Sequence, residues 1–183
     1  GFELYQSMLE EAILMAKAGG LSLDLPRQKF SPQITVDAPI LIPEDYVPDL
    51  AVRMALYRRM NDLANNAEIE SFAAEMIDRF GPLPDATTNL IKLIEIKQNC
   101  ITACVSKIDV GARGALVSFH NDSFPDVPGL LAYVDRLNGV AKLRPDQKLM
   151  IQRVWSDPAS RINGLVQLSK GLAGIIKKTT KAG

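Results

Sequence analysis

The chain has 183 residues, enough for one compact domain or a core with a small satellite, and 47% hydrophobic with 23% charged residues is the composition of an ordinary folded protein rather than a disordered one. Its 21 Lys and Arg balance 21 Asp and Glu, so no global basic field draws it to nucleic acid. No apolar run approaches the roughly 20 residues that a membrane span requires.

Apolar positions Leu4, Met8, Leu9, Ala12, Met15 and Ala16 predict a helix over residues 2–18, ended by Gly19-Gly20. The start, without Met and without the charged and apolar regions of a signal peptide, predicts a piece of a longer protein. Residues 21–48 are proline-rich and read as an extended connector with one short strand.

Asp49 is placed to cap a helix to about Leu63, with Val52, Leu56, Met60 and Leu63 on one face. Arg59 falls inside that stripe, so it is expected to snorkel or to find an acceptor. Asn65 and Glu68 have capping-box spacing, and the helix they open puts Ile69, Phe72, Ala73, Met76, Ile77 and Phe80 on its apolar side. Glu68, Ser71, Glu75, Asp78 and Arg79 then project opposite, with Glu75 and Arg79 at i,i+4. Gly81-Pro82 stops this helix in "AEMIDRFGPLPD", yet Asp78 places a carboxylate in the last turn, where the helix dipole favours cations.

A further helix is predicted from Pro84-Asp85 to about Cys104, with Leu90, Leu93, Ile94, Ile101 and Cys104 inward, making three consecutive helices a small bundle. Cys100 and Cys104 fit buried reduced thiols in a cytoplasmic setting better than half of a zinc site. "KIDVGARGALVSFH" then reads as a β-hairpin, residues 126–138 as a helix, and "VAKLRPDQKLMIQRVW" as a second hairpin turning at Pro145-Asp146. Asp157 and Pro158 open a final helix through Ile162, Leu165, Val166, Leu172 and Ile176. The class is α+β: N-terminal helices and an extended connector, a small helical bundle packed with a small antiparallel sheet, and a C-terminal helix.

Phosphate-binding loops, zinc-protease motifs and nucleophile elbows are missing from the sequence, and the single histidine, His120, sits in a turn-like stretch beside Asn121-Asp122. Carboxylate pairs such as Glu10-Glu11, Glu44-Asp45 and Glu75/Asp78 read as solvated faces, and Trp155 as a core anchor. No catalytic or metal-ligating residue is expected. After Asp157 the chain carries Arg161, Lys170, Lys177, Lys178 and Lys181 and no acid, so a nucleic-acid or RNA-polymerase-contacting accessory role for the basic C-terminal helix is the alternative reading.

Four stretches, "GFELYQSMLEEA", "ILIPEDYVPD", "RMALYRRM" and "EMIDRFGPLPD", in this order and spacing, resemble the C-terminal part of bacterial transcription-repair coupling factors. The resemblance implies that residues 1–20 are the tail of a preceding translocation module, packing on it through residues 2–18. It makes residues 21–48 a connector and residues 49–183 the family's C-terminal regulatory domain. It further implies a non-catalytic, autoinhibitory domain that docks on a UvrB-like N-terminal module of the same protein, masking UvrA binding and restraining the motor. ATP and Mg would be bound elsewhere in the parent, a DNA-dependent ATPase and translocase, with no cofactor held here. UvrA, RNA polymerase and DNA would be met indirectly through that parent, and no membrane at all. Glu75, Asp78 and Arg79, matching the family's E-x-x-D-R-F-G positions, are the expected interdomain contacts, with Arg53, Arg58 and Arg59 as weaker candidates.

Overall fold

The computed structural model describes residues 31–182, so the helix expected over 2–18 and the first part of the connector, residues 21–30, lie outside the described residues. Two compact units emerge: Pro39–Glu95, and Pro32–Ala38 together with residues 96–182.

In the first unit, α1 (Leu50–Asn61) starts at Asp49, whose carboxylate accepts from the Val52 N–H at 3.0 Å. Helix α2 (Asn66–Phe80) starts at Asn65, which accepts from Glu68 N–H at 2.9 Å, while Glu68 reaches back to the Ala64 N–H at 2.6 Å. These side chains satisfy amides that helix geometry leaves without partners. Helix α3 (Asp85–Thr102) begins in this unit and continues into the second. Leu56, Tyr57 and Met60 of α1, Phe72 and Met76 of α2, and Leu90 and Ile94 of α3 share one core with Ile42 and Val47.

The second unit is a five-stranded sheet of order β1-β2-β3-β5-β4. The two expected hairpins are β2 (Val105–Gly111) with β3 (Gly114–Phe119), and β4 (Ala141–Leu143) with β5 (Leu149–Gln152). They are joined antiparallel through β3 and β5, Ala115 opposite Ile151. The short connector strand β1 (Gln33–Thr35) adds in parallel to β2, making the sheet mixed. At Gly114, with φ of +134°, an added Cβ would lie 1.8 Å from the Ile151 carbonyl oxygen, so the close strand approach requires glycine. Helix α4 (Val127–Arg136) and helix α5 (Pro158–Ala182) complete the unit. Asp157 caps α5 by accepting from Ser160 N–H at 2.8 Å, and Leu130, Trp155, Leu165 and Leu172 pack with Val117 and Leu149 in the core.

Two sequence expectations need correction. Helix α3 ends at Thr102, and Cys104 lies beyond it at φ of +57°, only partly buried; Cys100 is the fully buried thiol, and both are free. The early stop is set by the turn into β2, where the Cys104 carbonyl accepts from His120 N–H at 2.8 Å. Ile77, counted with the apolar stripe, is 48% exposed. It lies about 100° round the helix from Met76, past the edge of the arc that Ile69, Phe72 and Met76 bury.

Candidate interdomain interface

All six candidate residues belong to the first unit, and the structure sorts them into three situations. Arg53 is buried, with 3% exposure. Its Nη1 donates to the Val47 carbonyl at 2.7 Å and the Pro48 carbonyl at 3.0 Å, tying the connector's end to α1. Such a guanidinium is an internal strut, because its donors are spent on carbonyls that would otherwise lack partners.

Arg59, Glu75 and Arg79 form a ladder across α1 and α2. Arg59 Nη2 donates to Glu75 Oε1 at 2.9 Å, Nη1 makes a second contact to Oε2, and Arg79 Nη1 reaches the same Oε2 at 3.3 Å. The guanidiniums also lie over rings, Arg59 at 5.1 Å from the Phe72 centroid and Arg79 at 4.8 Å from that of Phe80. The hydrogen bond from Arg59, helped by Arg79 and outweighing partial desolvation, holds the Glu75 carboxyl down at about 2, and the same bond raises Arg59. Arg59 therefore finds its acceptor inside this unit, as its place in the apolar stripe required, while remaining half exposed.

Arg58 and Asp78 differ from the rest. Both are exposed, and neither makes an ion pair or side-chain hydrogen bond among the described residues. Asp78 adjoins exposed Ile77 in sequence, so the last turn of α2 presents a carboxylate and a branched aliphatic side chain to solvent beside the ladder. Ile77 was hidden from sequence reasoning because periodicity counted it as core. Its flank position on the helical wheel is the signal that separates it.

The end of α2 is held rigidly. Tyr46 hydroxyl donates toward the Gly81 carbonyl at 2.8 Å and the Met76 carbonyl at 3.2 Å, and its ring meets Phe80 edge-on at 5.8 Å. Gly81 takes φ of +94°, and its N–H closes on the Ile77 carbonyl at 2.9 Å. Burial pushes the Tyr46 phenol up. Among the described residues no three His, Cys, Asp or Glu side chains gather to hold a metal, and no helix is long and apolar enough to cross a membrane. The exposed edge is suited to charge-directed docking, with one fixed ladder and, beside it, an Asp78 carboxylate that has no ion-pair partner among the described residues.

Comparison with known proteins places this chain in a family. The TRCF domain model matches residues 36–130. A transcription-repair-coupling factor of Rickettsia conorii is 37% identical over 150 residues, covering 82% of this chain and 13% of the relative. That of Escherichia coli K12 is 30% identical over 174 residues, 94% of this chain and 15% of the relative. The chain thus spans about an eighth to a seventh of the length of these curated relatives. Its fold matches a crystal structure of the C-terminal domain of transcription-repair coupling factor with a TM-score of 0.71 at 18% identity, over 84% of this chain and 98% of that one. With the family model spanning more than half of its length, the chain belongs to the TRCF domain family, as its four motifs led us to expect.

Proposed function

We propose that this chain is a non-catalytic, autoinhibitory interaction domain of a transcription-repair coupling factor. It docks on a UvrB-like module of the same protein, masks the UvrA-binding surface and restrains a DNA-translocating motor. The observation that carries this reading is Asp78, exposed and without an ion-pair or side-chain hydrogen-bond partner among the described residues, in the last turn of a helix where the neighbouring charges Glu75 and Arg79 are already engaged with each other. An acid near a helix C-terminus costs a few tenths of a kcal/mol up to about 1. A cation on a docked module would offset that cost.

Within this reading Asp78 makes the outward contact with Ile77 beside it, Glu75 and Arg79 form the flank of the same patch, and Arg58 is the complementary cation. Arg59 positions Glu75. The charges give register and easy release, because exposed pairs contribute about 0 to 1 kcal/mol each. The test is Asp78→Ala in the full-length protein: DNA-stimulated ATP hydrolysis and UvrA binding should both rise. Wild-type levels of both in a folded variant would remove Asp78 from the clamp.

A further inference from the structure

The second unit carries a surface that the docking patch does not use. Between α4 and α5 runs a groove made of two adjoining depressions of about 540 and 870 Å³, which share Tyr133, Leu137, Lys170 and Gly171. Its floor is apolar, with Leu137, Ile151 and Ile175. Its walls carry four cations, Arg136, Arg153, Lys170 and Lys178, against one acid, Asp126. That acid is committed internally, its Oδ1 accepting from the Gly129 N–H at 3.0 Å and its Oδ2 from the Thr179 hydroxyl at 2.5 Å.

Small residues shape the groove. A Cβ at Gly171 would meet the Tyr133 ring at 2.7 Å, so glycine lets α4 and α5 approach closely there. One turn on, Gly174 has nothing within 4 Å of its Cβ position, which leaves open space between the helices. Leu131, 47% exposed on α4, and Val154, 84% exposed just after β5, add apolar surface in the same unit.

We infer that the groove between α4 and α5 docks an acidic amphipathic segment of a protein partner. Charge complementarity selects an acidic occupant, since cations line both depressions and the only acid is spent on Gly129 and Thr179. The apolar floor selects a peptide over nucleic acid. Aliphatic side chains at helical spacing fill such a floor, as in helix-in-groove recognition. A single strand would instead need open aromatic faces on which to stack, whereas Trp155, at 7% exposure, is packed under Gly164, and the Tyr133 ring lies against Gly171 with the Arg136 guanidinium 6.0 Å from its centroid.

The test is fluorescence anisotropy of the 183-residue chain with a labelled peptide of about 14 residues, with leucines at i, i+3, i+4 and i+7 and glutamates between them. Saturable binding is expected, and it should weaken about tenfold when the glutamates become glutamines or in the double variant Arg136→Glu, Lys178→Glu. Gly174→Leu fills open space at an ordinary helical position, so the chain should stay folded while peptide binding is lost. A mixed-sequence single-stranded DNA probe should be indifferent to Gly174→Leu. The inference is overturned if the peptide does not bind, if it binds wild type and Gly174→Leu equally, or if the DNA probe displaces it and is itself excluded by Gly174→Leu.

Discussion

Arg59 of α1 and Glu75 of α2 are joined by a two-pronged ion pair that Arg79 completes from the next turn of α2. The pair fixes the polar edge of the helix bundle. Because the folded Glu75 carboxyl sits at about 2 against an ordinary 4.5, its contribution to stability is fully present above pH 4.5 and is lost as pH falls toward 2. A carboxyl-resolved NMR titration should give Glu75 a midpoint well below 4.5, moving up toward 4.5 in Arg59→Ala. An unmoved midpoint would show that Arg59 is not its main partner.

Arg53 should behave as a stability residue. Arg53→Met keeps much of the stem but strands the Val47 and Pro48 carbonyls, and should cost about 2 to 3 kcal/mol in urea unfolding. Arg58→Met, at an exposed position, should change stability by less than about 0.5 kcal/mol.

Two glycine substitutions separate backbone strain from steric overlap. At Gly81, φ of +94° with ψ of −169° is a conformation that glycine alone adopts readily, but space is open, so Gly81→Ala should cost about 1 to 3 kcal/mol. At Gly164 a Cβ would lie 2.3 Å from the Trp155 ring, so Gly164→Ala must displace it. Trp155 is the chain's single tryptophan, and its emission should shift in Gly164→Ala and stay in place in Gly81→Ala.

Lys97, with 2% exposure, is held down at about 8 by burial, and the buried Cys100 thiol is pushed up to about 12. Between pH 8 and 9 the unfolded chain holds the Lys97 proton that the folded chain releases, so stability should rise with pH. Above pH 9 the unfolded cysteine ionises while folded Cys100 does not, which opposes the rise. Lys97→Met should flatten the segment from pH 8 to 9 in denaturant midpoints, and an unchanged slope would assign it to another group.

How much of this was legible in the sequence depends on the range of the interaction. The caps at Asp49, Asn65 and Asp157 follow from local spacing, and the structure has all three. Both hairpins follow from period-two alternation about a turn. Which arginine is buried did not follow, because α1 periodicity points to Arg59 while Arg53 is drawn inward by carbonyls of the preceding connector. The parallel pairing of β1 with β2 joins residues more than seventy positions apart and leaves no local signature. In the candidate interface the acids were readable from the wheel, and the four motifs supplied their family. The internal engagement of Glu75 and the exposure of Ile77 needed the helix pair in three dimensions.

The central claim is that Asp78 faces a cation on another module. Titration of this chain against a separately produced UvrB-like module, wild type beside Asp78→Ala, tests it most directly. The account predicts saturable binding by wild type that weakens with salt, and an affinity lower by about tenfold in Asp78→Ala with the unfolding midpoint unchanged. Equal affinity of the two proteins for the module would contradict it.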